Sequence, residues 1–157
     1  YGDNSFDAVC AFDVVEHVED DQKAIEELFR VCKPGGKIFI TVPAFMSLWS
    51  NHDVVNHHFR RYRKNQMLGL FVPQGGKLIR TTYFNFFLFI PIFLVRSLQK
   101  IFIRKKQEEL KPDNDMIESG FINAVFKSIF AFERHLLKII SFPFGVSLLV
   151  LWEKNKN

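Results

Sequence analysis

Hydrophobic and polar positions along the first forty residues alternate between two apolar runs and one amphipathic stretch. Phe6 to Phe12 (FDAVCAF) is nearly continuous apolar, the pattern of a strand buried on both faces of a parallel sheet. Asp13 to Asp21 then packs five acids and one His into nine residues. Ile25, Leu28, Phe29 and Cys32 follow at i, i+3, i+4 and i+7, which predicts a helix with one apolar stripe. Asp20 or Asp21 is its expected N-cap. Pro34-Gly35-Gly36 stops it, one of the glycines taking the positive φ, and Lys37 to Val42 reads as a second buried strand. Two apolar strands joined by a helix form a right-handed βαβ unit. Ligands of open α/β sheets bind beyond the carboxyl ends of the strands, so the Asp13–Asp21 loop is where chemistry is expected.

The pattern changes after Pro43. Ala44 to Trp49 predicts a short helical turn, and SNHDVVNHHFRRYRKN is a polar, His-rich loop following a strand's carboxyl end. Gln66 to Val72 reads as a short helix with Met67, Leu70 and Phe71 inward, and Lys77 to Tyr83 as an edge-like third strand. From Phe84 to Lys106, apolar residues at helical spacing lead into Arg96, Lys100, Arg104, Lys105 and Lys106, the pattern of an interfacial anchor. Gln107 to Asp115 reads as a linker. Ile117 to Ile140 predicts a second helix, with Ile122, Val125, Phe126, Ile129, Leu136, Leu137 and Ile140 along one side and Glu133 breaking the stripe. Val146 to Trp152 is a last buried strand, and Lys154 to Asn157 is expected to fray.

The phrases FDAVCAFDVVEHVEDD and RVCKPGGKIFITVPA resemble the middle of a class I S-adenosylmethionine-dependent methyltransferase of the type 11 kind. The resemblance extends more loosely through WSNHDVVNHHFRRY and the final GVSLLVLWEK. It implies an α/β fold, a partial Rossmann-like methyltransferase sheet comprising the family's strands 4 to 7, with the last strand inserted antiparallel between its two predecessors. Residues 1–157 would then be a single domain, the C-terminal part of a methyltransferase domain, with 84–141 as a helical insertion before the last strand. The family's Gly-rich loop and the acid after its second strand would lie before Tyr1. Gly35-Gly36 and Gly75-Gly76 are turn glycines rather than a G-x-G-x-x-G motif. The chain on its own is therefore expected to bind the cofactor weakly or not at all.

Composition adds three points. A length of 157 residues suffices for a sizeable core, and 19 Phe make aromatic packing or a greasy surface prominent. The net charge of +4 comes with basic clusters at 60–64 and 96–106, yet no nucleic-acid-binding motif is present, and no nucleic-acid partner is expected. Cys10 and Cys32 read as reduced, buried thiols. With no secretory signal before Tyr1, the expected location is cytoplasmic, with membrane association through 84–106. The longest apolar run, Phe84 to Val95, is shorter than the roughly 20 residues that span a bilayer.

Two constellations carry the candidate chemistry. By resemblance, Phe12, Asp13 and Val14 face the methionine part of S-adenosyl-L-methionine. His17 is a candidate general base for a hydroxyl acceptor, because His titrates near neutral pH; capping of the following helix by Glu16 and His17 is the structural alternative. The second constellation is His52, Asp53, His57, His58, Arg60, Arg61 and Tyr62. His58 is a second candidate base, and His52, Arg60, Arg61 and Tyr62 form a candidate acceptor-binding lid, with Arg suited to bidentate recognition of an anion. A solvated loop pairing with Glu19, Asp20 and Asp21 is the plainer reading. The HDVVNHH spacing fits no zinc pattern, and no metal is assigned. The expected activity is methyl transfer from S-adenosyl-L-methionine to a small-molecule or lipid-like acceptor. The competing class is a non-catalytic module that docks on membrane or protein through its helical pair.

Overall fold

The computed structural model describes residues 1–103 and 120–156. Four strands, β1 (Phe6–Phe12), β2 (Cys32–Pro43), β3 (Lys77–Phe84) and β4 (Ser147–Glu153), form one sheet in the order β1-β2-β4-β3. β1 and β2 are parallel, and β4 runs antiparallel between β2 and β3. This is the topology the sequence resemblance implies. Helix α1 (Asp21–Val31) joins β1 to β2, with Asp20 as its N-cap accepting from the Lys23 amide. Two shorter helices, α2 (Asn51–Val55) and α3 (Lys64–Phe71), follow β2. The pair α4 (Phe86–Ile103) and α5 (Gly120–Leu136) separates β3 from β4. The expected linker 107–115, the cations Arg104, Lys105 and Lys106, and positions 117–119 lie outside the described residues.

The core lies on one face of the sheet. Ile38, Ile40 and Val42 of β2 pair with Trp152, Val150 and Leu148 of β4, and all six are buried. Ile25 and Phe29 of α1 and Met67 and Phe71 of α3 close over them, with Phe71 against both Phe29 and Trp152. Full burial of each aliphatic side chain contributes about 1.5–3 kcal/mol. Leu70, expected inward with Met67 and Phe71, is only half-buried.

The opposite face explains two departures from expectation. β1 was expected to be buried on both faces, yet only Ala11 of its seven residues is. It is an edge strand with a single neighbour, and among the described residues no layer covers its second face. Cys10 is therefore exposed, whereas Cys32 is buried as expected. The same face carries Phe12 edge-on to Phe39 at 5.1 Å.

The α1–β2 junction also differs from a simple Gly stop. The helix ends at Val31, and Pro34-Gly35-Gly36 bulges within β2, shifting the pairing from Phe6–Cys32 to Ala8–Lys37. A Cβ on Gly36 would come within 2.7 Å of the Cys32 Sγ and 3.0 Å of the Asp7 carbonyl, so only glycine fits there. The tail is tied down rather than frayed at Lys154. Its ammonium donates to the Phe29 and Cys32 carbonyls at 2.7 and 2.8 Å and to Asn4 Oδ1 at 3.0 Å. A cation at a helix C-terminus meets the negative end of the helix dipole.

Part of the Phe content seats α4. Phe86 stacks on Phe142 and Phe144, each at 4.6 Å, and Phe89 meets Phe144 and Phe45. Glu133, the residue that breaks the α5 stripe, is buried and accepts from the Phe86 and Phe87 amides at 2.9 and 3.4 Å. A carboxylate thus satisfies two of the orphan donors at the start of α4. Arg80 of β3 donates to the Leu137 and Ile140 carbonyls just beyond α5. No described helix is long and apolar enough to cross a membrane.

Candidate active site

The carboxyl ends of β1 and β2 lie side by side, and the chain turns sharply at each. Asp13 takes φ +50°, its amide donating to the Thr41 carbonyl at 2.9 Å. A short helical turn over Val15–His17 then directs Glu16 inward and His17 outward. From the other side, the segment after β2 folds back, and the Phe59 amide donates to the Glu16 carbonyl at 2.8 Å. This bond, with Arg60 donating to the Glu19 carbonyl at 2.5 Å, joins the acidic loop to the His-rich segment.

Between them is a cavity of about 250 Å³ lined by Asp13, Glu16, His17, His52, His58 and Arg61, with Arg96 contributed by α4. The His17 and His58 rings meet edge to face at 4.6 Å, and the His52 ring lies 6.4 Å from that of His58. His58 contacts Asp53 at 2.9 Å through Nδ1. An ionised carboxylate only accepts, so His58 donates Nδ1–H and its Nε2 keeps the lone pair. Burial holds the His58 pKa below the usual imidazole value, although the Asp53 carboxylate pulls the other way. His58 is thus neutral at pH 7 with Nε2 able to take up a proton.

Asp53 is fully buried and fully partnered. Arg61 donates to it through Nε at 2.7 Å and Nη2 at 3.0 Å, and the Ser50 amide donates at 2.9 Å as part of the capping box of α2. Burial alone would raise its pKa, but the Arg61 hydrogen bonds and charge, with Ser50 and His58, hold it below the usual carboxylate value.

Glu16 is the opposite case. It is 0% exposed, neither carboxylate oxygen has a hydrogen-bond partner, and the nearest cationic candidate is His17 Nε2 at 4.0 Å. Burial pushes its pKa up to about 7, with Asp13 adding to the rise. Glu16, His17 and His58 bring three ligand-type atoms within 4.8 Å of one another. Their donor types are also those a divalent cation accepts.

The sequence candidates are spread over two cavities, with Arg61 lining both. His17, His58, His52, Arg61 and Asp13 line the first. Arg60 and Tyr62 line a second, of about 390 Å³, with Asp21 and Met46. There Asp21 Oδ2 receives both Arg60, at 2.7 Å, and the Tyr62 hydroxyl, at 2.9 Å. The plainer reading of the sequence, pairing of this segment with the acidic loop, holds for Arg60. Burial and the Asp21 carboxylate push the Tyr62 pKa upward. Arg61, expected as an anion clamp, has its guanidinium buried against Asp53 and the Ala44 carbonyl. Phe12 and Val14 stand at the mouth of the β1 loop, 52% and 49% exposed. Asp53 and Glu16 are the residues that sequence reasoning left without a catalytic role. The Ser50-x-x-Asp53 capping box was readable, but the burial of either carboxylate was not.

A parallel βαβ unit with an antiparallel strand inserted beside it, and a polar cavity at the strands' carboxyl ends, defines a Rossmann-like methyltransferase sheet. Solved structures share this fold. S-adenosyl-L-methionine-bound phosphoethanolamine N-methyltransferase 2 of Haemonchus contortus superposes with a TM-score of 0.54 at 18% identity, covering 99% of this chain and 34% of that one. The [4+2]-cyclase SpnF gives 0.53 at 17% identity, covering 100% of this chain and 52% of that one. Residues 1–40 match the methyltransferase domain family. The mitochondrial ubiquinone biosynthesis O-methyltransferase of Dictyostelium discoideum is 49% identical over 39 residues, 25% of this chain and 12% of that protein. Phosphoethanolamine N-methyltransferase 2 of Caenorhabditis elegans is 40% identical over 42 residues, 27% of this chain and 10% of that protein. The family match thus rests on the first 40 residues, the chain spans about a tenth to a quarter of the length of the curated relatives it matches, and the solved structures share its Rossmann-like methyltransferase fold.

Proposed function

We propose that this chain forms the acceptor-side wall of a methyltransferase active site, and that the acceptor is a small or lipid-like molecule carrying a hydroxyl group. One observation carries this reading: a neutral His58, oriented by the buried Asp53–Arg61 pair, lines the cavity at the carboxyl ends of β1 and β2. Names among the relatives cover O-, N- and C-methylation, so the choice of oxygen rests on this chain's own residues.

Phe12, Asp13 and Val14 are the residues that would hold S-adenosyl-L-methionine. Two exposed apolar side chains beside an exposed carboxylate fit a ligand that is part hydrocarbon and part cation. When bound, that group supplies an electrophilic methyl. His58 Nε2 accepts the hydroxyl proton of the acceptor, as general-base catalysis requires. Asp53 steadies the imidazolium that results, and its own charge is balanced by Arg61. His17 stands opposite His58 as the second candidate base, and His52 contacts the acceptor. Alignment of donor and acceptor in the cavity supplies much of the remaining barrier reduction. The built cluster around His58 favours this reading over a non-catalytic docking module.

The test is a titration with S-adenosylhomocysteine followed by amide NMR, then by addition of simple phenols. Saturable movement of the Phe12, Asp13 and Val14 amides, and of His17 and His58 only on phenol addition, is expected. Movement confined to other parts of the chain would refute the assignment.

A further inference from the structure

We infer that Glu16, His17 and His58 form a binding site for a borderline divalent cation of the zinc class. Each of the three offers one ligand atom, and these atoms lie within 4.8 Å of one another on the wall of the 250 Å³ cavity. Ligands of such an ion stand about 2.0–2.2 Å from it, so small side-chain rotations close the set on one ion. A carboxylate with two imidazoles suits this class of cation and leaves coordination positions open. Glu16 and His17 come from the turn after β1, and His58 comes from the segment after β2. The set therefore forms only in the fold, and no local spacing encodes it.

Two independent observations point to an ion. The first is the Glu16 carboxyl, which is fully buried, lines the cavity and has no hydrogen-bond partner on either oxygen. Ionised, it is a buried charge with no cation in hydrogen-bond reach, a costly arrangement. Protonated, its O–H still lacks an acceptor, and the cost of an unmade buried hydrogen bond remains. A coordinated cation removes both costs.

The second is the support around His58. Its Nδ1–H is donated to Asp53, which Arg61 and the Ser50 amide hold in turn. Metal-ligating imidazoles characteristically donate the other ring N–H to a carboxylate, which fixes the tautomer and makes the ligating nitrogen more basic. That outer support is already built here and leaves Nε2 for the ion. Asp13 adds a second carboxylate to the cavity wall. Of the two guanidiniums on the wall, Arg61 is matched by Asp53, and Arg96 donates to the Leu48 carbonyl.

The inference stands on the chain's own donor atoms and does not depend on the methyl-transfer reading. Ion and proton compete for the lone pair of His58 Nε2, so the ion-loaded chain and the general base are two states of one site.

The experiment is calorimetric titration of the EDTA-treated, dialysed full chain with Zn²⁺ and with Mg²⁺, without cofactor or acceptor. Saturable binding of one Zn²⁺ per chain is expected, with much weaker binding of Mg²⁺. Glu16→Gln and His58→Gln should each weaken Zn²⁺ binding more than about a hundredfold, since even outer partners of a metal ligand are worth about 10–100-fold. His17→Gln should also weaken it, and His17 is exposed enough for the fold to tolerate the change. Cys10→Ser and His135→Gln, at exposed positions outside the cavity, should bind as the parent does. In the parent chain, Zn²⁺ should shift the imidazole resonances of His17 and His58. No saturable Zn²⁺ binding would overturn the proposal and leave water as the partner of Glu16. Binding lost in Cys10→Ser or His135→Gln but kept in Glu16→Gln and His58→Gln would overturn it as well, and so would a preference for Mg²⁺.

Discussion

His58 donates Nδ1–H to Asp53 Oδ1 at 2.9 Å, and the same oxygen receives Arg61 Nε at 2.7 Å. One buried carboxylate oxygen therefore serves two donors, fixing the tautomer of the first while the second neutralises the charge. Neither neighbour is replaceable without cost to the other.

Removing one member of this buried set should be far worse than removing two. Asp53→Leu leaves the Arg61 guanidinium buried without its counter-charge, which costs about 3–5 kcal/mol. Arg61→Met alone should cost a similar amount. The double variant Asp53→Leu, Arg61→Met should recover much of the loss, because replacing a buried pair by apolar residues is often near neutral. Urea denaturation of the four proteins measures the coupling, and strictly additive losses would contradict it.

His58→Ala should lower kcat by about a hundredfold to ten-thousandfold in the enzyme that contains this chain, with little change in cofactor affinity. Release of S-adenosylhomocysteine gives the rate and calorimetry gives the affinity. His58→Gln retains bulk without basicity and should be equally slow. A variant with unchanged kcat would remove His58 from the mechanism.

Glu16 imposes a pH dependence on stability. Its pKa rises from 4.5 in the unfolded chain to about 7 in the fold, so the folded state holds the proton more tightly. Between those values the folded state binds more protons than the unfolded one, and stability falls as pH rises. The penalty is absent below about pH 4 and complete above about pH 7, where it reaches roughly 3 kcal/mol. Glu16→Gln should abolish it: equal stability to the parent at pH 4, greater stability at pH 8. Thermal unfolding in EDTA checks this, since a cation bound to Glu16, His17 and His58 would pull the carboxyl back down.

The Glu133 carboxylate should hold the start of α4. Glu133→Ala removes the acceptor for Phe86 and Phe87 and should cost about 1–2 kcal/mol, the usual size of a lost helix cap. Glu133→Gln, which keeps an acceptor but loses the charge, should cost less. Faster hydrogen exchange at the Phe86 and Phe87 amides in the Ala variant is the local readout, and unaltered exchange would show that the cap is idle.

Much of the framework was legible because it is written in local periodicity. The apolar runs at Phe6–Phe12 and Lys37–Val42, the stripe through Ile25 and Phe29, and the Asp20 cap all depend on residues within a few positions of one another. The order of the sheet came from resemblance rather than periodicity, since nothing local places β4 between β2 and β3. The acidic loop and the His-rich segment were both placeable beyond a strand's carboxyl end, so their meeting could be anticipated.

By itself, then, the sequence determined the elements, their sheet edge and the set of residues gathered there. Tertiary structure decided which of those residues are spent and which are available. Arg60 and Arg61 are adjacent and chemically identical, yet Arg60 pairs with Asp21 beside the second cavity and Arg61 is buried on Asp53. Glu16 and Glu133 are equally polar, yet one is buried without a hydrogen-bond partner and the other caps a helix 46 and 47 residues away. These outcomes are set by burial and by distance through space. Desolvation and hydrogen-bond geometry act on whichever groups the folded backbone brings together, and residue type alone does not encode that meeting.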